Sequence, residues 1–113
     1  RAVARQAAVW WLGMKIKRID MGGGLQPAWR HWCPGCEMNH VIYIDPKSQP
    51  NGHHWTFDGN EESPTFSPSI NIVGQCHYFI RAGQIDYCGD SKHALAGKTV
   101  PLPDLAAIDE DWD

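Results

Sequence analysis

Residues 33–36 read Cys33-Pro34-Gly35-Cys36. Two thiols separated by two residues can point into one tetrahedral metal site, and Pro-Gly between them makes the tight turn this needs. Thiolates bind Zn²⁺ at about 2.3 Å, and structural sites take four such ligands. One Cys-x-x-Cys pair is half a site and predicts a second half elsewhere. The chain holds four cysteines, and the other two, Cys76 and Cys88, fall in a segment that reads as a β-hairpin. The economical expectation is a zinc site built from Cys33, Cys36, Cys76 and Cys88. A thioredoxin-like redox pair would sit between a strand and a long helix. Cys36 instead runs into Glu37-Met38-Asn39-His40 and a strand-like stretch, which disfavours redox chemistry. The bland alternative is unrelated thiols buried as small apolar residues.

At 113 residues the chain is long enough for one domain with a modest core, helped by a metal staple. Its net charge of −3, with 20% charged residues, offers no electrostatic grip on nucleic-acid phosphates. No apolar run approaches the roughly 18 residues of a membrane span, and Ala7 to Leu12 is too short for a signal peptide. Cys-x-x-Cys without a secretory signal favours a reducing compartment and metal over disulfides, so a cytoplasmic location is expected. Six tryptophans is a high count, enough both to close a core and to line a groove.

Outward from the knuckle, the pattern is one of short strands. Residues 1–13 fit poorly with the rest and read as an upstream extension, or as a docking or oligomer helix. Lys15-Ile16-Lys17-Arg18-Ile19 reads as a first edge strand and Gly22-Gly23-Gly24 as a break. His40 to Asp45 reads as a strand, Pro46 to Gly52 as a loop, and Trp55-Thr56-Phe57 as a short strand ended by Asp58-Gly59-Asn60. Ser63 to Val73 alternates, with Phe66, Pro68, Ile70 and Ile72 on one face and Thr65, Ser67, Ser69 and Asn71 on the other. Cys76 to Ile80 and Ile85 to Cys88 form a hairpin around Ala82-Gly83. Its pairs are Arg81 with Gln84, Ile80 with Ile85, Tyr78 with Tyr87 and His77 with Cys88, which sends Cys76 and His77 to opposite faces. Asp90 as N-cap and Gly97 as C′ residue frame a short helix over Ser91–Ala96, and 99–103 is an extended exit. The expected fold is a mainly β, zinc-stapled single domain over residues 14–103 with one short helix, followed by an acidic tail at 104–113.

The polar residues that surface filling does not explain are His40, Glu62, Ser67, Ser69, His77, Asp90 and His93. A serine activated by histidine, with a carboxylate orienting the imidazole, gives a hydrolase wherever geometry brings the three together. Ser67 and Ser69 share the polar strand face, His77 begins the next strand, and Asp90 or His93 could complete the set. A metal-centred alternative places His40, His77 and His93 on a catalytic zinc with Glu62 as general base. No His-Glu-x-x-His is present to support it.

Together, Cys33-Pro34-Gly35-Cys36 with His40, the Trp55-x-Phe57-x-Gly59 turn, Pro64 to Ser69, Cys76-His77-x-Phe79 and Asp90 with His93 to Gly97 resemble a phage and bacterial family long labelled as a domain of unknown function. The resemblance covers residues 32–103. Some of its members accompany bacterial ubiquitination-like operons and are regarded as peptidases that trim or remove the ubiquitin-like protein. It therefore implies a zinc-containing hydrolase with a protein substrate. One departure stands out: the family's second hairpin cysteine falls where Ser91 stands here, so Cys88, His93 or Asp90 must supply the fourth ligand. The competing class is a zinc-ribbon-like adaptor that binds a partner protein without turnover.

Overall fold

The computed structural model describes residues 14–109, so the reading of 1–13 as an extension, and the last four residues of the acidic tail, lie outside the described residues. Among the described residues, two antiparallel sheets, a 3-10 turn at Pro46–Ser48 and one short α-helix make up the domain. The first sheet has three strands in chain order: β1 (Lys17–Ile19), β2 (Ala28–Cys33) and β3 (Met38–Ile42). The second has five, also in chain order: β4 (Thr56–Phe57), β5 (Phe66–Ile72), β6 (Cys76–Arg81), β7 (Gln84–Tyr87) and β8 (Thr99–Pro101). The helix α1 spans Leu105–Asp109.

Period-two alternation decides which residues meet. On β6, Cys76, Tyr78 and Ile80 are buried, while His77 and Phe79 are half-buried on the other face. On β2, Trp29, His31 and Cys33 are buried. The two sheets pack these faces together: His31 Nε2 lies 2.7 Å from the Tyr78 hydroxyl and Cys33 Sγ lies 3.9 Å from Cys76 Sγ. Ile80, Ile85, Phe66 and Ile42 continue the same core. Aromatic contacts seal one end, with Phe57 stacked on Phe66 at 4.8 Å and Trp29 tilted against Phe57 at 5.0 Å. A buried polar group without a partner is costly, and burial together with the neighbouring His40 lowers the pKa of His31 to about 3, so this histidine stays neutral in the core.

The β6–β7 hairpin has the register read from the sequence, with Tyr78 opposite Tyr87, Ile80 opposite Ile85 and Arg81 opposite Gln84. Its loop places both central residues at positive φ, 48° for Ala82 and 76° for Gly83, the backbone of a two-residue hairpin turn whose twist matches the strands.

Three expectations are corrected. The segment 91–97 forms successive turns and no helix. Much of its backbone bonds the hairpin: Lys92 N–H donates to Gln75 O at 2.9 Å and Gly97 N–H to Tyr87 O at 3.1 Å, while Ala96 N–H closes a turn on His93 O at 3.2 Å. So short a helix satisfies few of its own backbone groups, and those cross-links win. The short helix is α1, within the stretch read as acidic tail. Leu105 and Ala106 are buried there, and Leu105 N–H donates to Met14 O at 2.9 Å. Finally, Pro68 is exposed and does not join Phe66 and Ile70 in the core, because the β5–β6 register shifts between Phe66 and Ile70.

Ala82 tests the turn. A non-glycine residue at positive φ costs roughly 1–2 kcal/mol, which asparagine bears better. Ala82→Asn should therefore raise the thermal midpoint by a few degrees, read in a calorimetric scan, and an unchanged or lower midpoint would contradict the turn geometry.

Candidate active site and metal cluster

Cys76 and His77 are neighbours on β6, so their side chains leave opposite faces of the sheet. Each organises a separate group.

On the inner face, Cys33, Cys36, Cys76 and His93 bring one ligand atom each to within 4.8 Å of one another. The knuckle supplies two of them. Glu37 N–H closes its turn on Cys33 O at 2.8 Å, and Cys36 N–H points at Cys33 Sγ at 3.4 Å. His93 arrives from the 91–97 turns, its Nε2 3.2 Å from Cys76 Sγ. Gly35 makes room for that ring: a Cβ there would meet His93 Cε1 at 2.2 Å. The Tyr87 hydroxyl lies 3.1 Å from Gly35 N and 3.0 Å from Cys33 Sγ. It accepts from the amide, and when Cys33 is a thiolate its own proton is directed to the sulfur.

The donor set fits a metal ion. Ligand sulfurs about 2.3 Å from a tetrahedral centre stand about 3.8 Å apart, and Cys33 Sγ and Cys76 Sγ are 3.9 Å apart. Burial raises the Cys33 thiol pKa, partly opposed by the Tyr87 hydroxyl. Burial and then the charge of Cys33 raise that of Cys76. Thiols so placed become thiolates together only when a cation compensates them. Leu95 N–H lies 3.2 Å from His93 Nδ1. That contact must loosen when Nε2 ligates an ion, because a neutral imidazole then carries its proton on Nδ1.

Cys88 does not join this cluster. It follows the inward Tyr87 and so turns to the face of His77, as the hairpin pairing requires; its N–H donates to His77 O at 2.8 Å. Counting cysteines selected Cys88; strand parity excludes it, and the 91–97 turns bring His93 to the cluster in its place.

On the outer face, Ser69 Oγ lies 3.1 Å from His77 Nε2. His77 Nδ1 lies 3.2 Å and 3.3 Å from the two carboxylate oxygens of Asp90. An ionised carboxylate only accepts, so Nδ1 carries the proton and, in the neutral ring, Nε2 is left to accept from the serine hydroxyl. Ser91, buried between the two clusters, fixes the histidine's backbone: its Oγ accepts from His77 N–H at 3.1 Å and donates to His77 O at 2.9 Å. Ser69, exposed Pro68 and Asn71 line a pocket of about 360 Å³ with Trp55, His53 and His54. Trp55 Nε1–H donates to Ser69 O at 3.2 Å and steadies the strand at that point.

The other candidates are elsewhere. Ser67 is exposed and paired with Thr56, with its carbonyl accepting from the Thr56 hydroxyl at 3.3 Å. Glu62 is exposed in the turn after β4, where its N–H donates to Asn60 Oδ1. His40 pairs with His31 across β2 and β3 and stacks on Tyr78, the residue pointing away from His77's face. His40, His77 and His93 thus stand in three places, and the three-histidine metal site with Glu62 does not form. Sequence reasoning passed over Tyr87 and Ser91 as functional supports. The alternation that makes Tyr87 face Cys33 was the available signal; nothing local marks Ser91.

The family model described as bacterial ubiquitination-like system serine protease (BubE) matches residues 13–88, which include Ser69, His77 and the three clustered cysteines. No curated protein and no solved structure matches the chain significantly. Among the described residues, no helix is long and apolar enough to cross a membrane. The match spans more than half of the chain, and the chain belongs to this family.

The inner cluster yields a direct expectation. Tyr87→Phe keeps the ring and removes the O–H beside Cys33, so the cluster's affinity for added Zn²⁺ should fall about 10–100-fold in competition with a chelator. Gly35→Ala should do more, expelling His93, and metal content by elemental analysis should drop clearly below that of the parent. Full retention in both variants would refute the ligand set.

Proposed function

We propose that this member of the ubiquitination-like serine protease family hydrolyses an acyl bond in a protein substrate, with Ser69 as nucleophile, His77 as general base and Asp90 as the residue that orients it. The observation that carries the reading is the unbroken chain Ser69 Oγ–His77 Nε2 at 3.1 Å and His77 Nδ1–Asp90 at 3.2 Å, within the range where an activated serine operates.

The steps follow from those atoms. Ser69 Oγ attacks the scissile carbonyl carbon as its proton passes to His77 Nε2. Asp90 holds the Nδ1 proton, fixes the productive tautomer and stabilises the imidazolium that forms. The imidazolium returns the proton to the leaving amine, and the acyl group remains on Ser69. Water, deprotonated by the same nitrogen, then releases it. The developing oxyanion requires preorganised donors, and the Asn71 side-chain amide, which shares the pocket with Ser69, is our assignment for one of them. The exposed setting of Pro68 and the pocket walls of Trp55 and His54 suit an extended peptide segment such as the tail of a ubiquitin-like protein.

To the inner cluster we assign Zn²⁺, on the chemistry of three thiols and one imidazole arranged for four-coordination. Its role is structural. Cys76 and His93 flank the two triad residues His77 and Asp90 in sequence, so holding the first pair positions the second.

Turnover of a conjugate or precursor of the ubiquitin-like protein is the test. Ser69→Ala should lower kcat by at least about 10⁴-fold, whereas Ser67→Ala should stay near the parent rate. Asp90→Asn should cost on the order of 10²–10⁴-fold, the lower end reflecting a carboxylate open to water. An adaptor without catalysis would bind the same protein and show no turnover in any variant. An active Ser69→Ala protein would refute the serine mechanism.

A further inference from the structure

The outer face holds a second metal-ligating grouping, which shares His77 and Asp90 with the serine mechanism and adds Cys88, a residue that mechanism does not use. Cys88, His77 and Asp90 each bring one ligand atom to within 4.8 Å of the others. Cys88 is kept on that side by its N–H bond to His77 O, and Asp90 is exposed, so an ion can enter from solvent. A thiol, an imidazole and a carboxylate form a mixed set that suits zinc and its transition-metal neighbours and does not suit magnesium or calcium. Three protein ligands leave a position for water. From this geometry we infer an inhibitory metal site in which a divalent transition-metal ion such as Zn²⁺ binds His77, Cys88 and Asp90 and switches off the Ser69 nucleophile.

Inhibition follows from the atoms the ion must occupy. An ion on His77 Nδ1 displaces the proton that Asp90 holds, and the neutral ring then carries its proton on Nε2, where it can no longer accept from Ser69. An ion on Nε2 removes the base directly. In both cases the Asp90 carboxylate is drawn to the metal. A metal-bound cysteine is a thiolate, so binding releases the Cys88 thiol proton to solvent. The thiolate and carboxylate balance the two charges of the ion. The site is distinct from the inner cluster because Cys76 and Cys88 leave opposite faces of the sheet.

This inference rests on the serine reading of the same residues, so the test separates the two. The intact chain carrying one equivalent of zinc is titrated with ZnCl₂ by calorimetry, beside Cys88→Ser and Cys88→Ala. In parallel, labelling of Ser69 by a fluorophosphonate is followed at each zinc concentration and after addition of a weak chelator. The expected result is a second, weaker equivalent in the parent whose affinity falls at least tenfold in both variants. Labelling should be suppressed by zinc in the parent, restored by the chelator, and insensitive to the same zinc in the variants. A second equivalent that is absent, or unchanged without the Cys88 thiol, overturns the site. Zinc that binds through Cys88 yet leaves labelling unchanged, or increases it, overturns the inhibition. Failure of Ser69 to label in protein without added zinc sinks the serine mechanism and with it the inhibition, while the calorimetry still decides the metal site.

Discussion

The convergence of three thiols and an imidazole between the two sheets is the constraint on which the rest depends. Those four ligands come from the β2–β3 knuckle, the start of β6 and the 91–97 turns, three pieces of chain that are distant in sequence. Without an ion this convergence is unfavourable: burial holds the thiols protonated and nothing apolar fills their place. With one, the same proximity becomes folding free energy, of order 10 kcal/mol in small metal-dependent domains. A chain of this size, with ten large side chains in its buried core among the described residues, gains disproportionately from such a staple.

The outer face inherits its order from the inner one. His77 is bracketed in sequence by Cys76 and Tyr78, both anchored in the core, and its own N–H and C=O are held by the Ser91 hydroxyl. Asp90 precedes Ser91 and is exposed, with little packing to hold it. What places it is the chain on either side, where Cys88 N–H bonds His77 O and the Ser91 hydroxyl bonds the His77 backbone. Rigid support beneath an open site is the usual division between scaffold and chemistry, here compressed into one strand and one turn.

Much of this was legible in the sequence, and the failures have a common cause. The hairpin register, the edge strand at 17–19 and the opposition of Cys76 and His77 follow from alternation and turn chemistry, which are local. Ser69 and His77 could be paired because a short turn joins their strands. That Ser69 and not Ser67 lies beside His77 was not legible, because it depends on the register shift between Phe66 and Ile70, which no residue type announces. The same non-locality hid the fourth ligand. Cys88 has the right chemistry but the wrong parity, whereas His93 reaches the site only because the 91–97 segment bonds to Gln75 and Tyr87 in place of forming a helix.

The adjacency of Cys76 and His77 also limits how this chain can change over evolutionary time. Because one side chain serves the interior and the next the exterior, a single-residue insertion or deletion between β5 and His77 that is absorbed by sliding the strand exchanges the two roles at once. The Gly74-Gln75 connection is therefore fixed in length, and Gly74 is also held to glycine by its φ of 77°, whereas the largely exposed Val73 beside it is free to vary. Descendants of this sequence can diversify by substitution around the pocket, but loop growth has to happen elsewhere, in connections such as 20–27 or 46–55 that do not set the phase of β6.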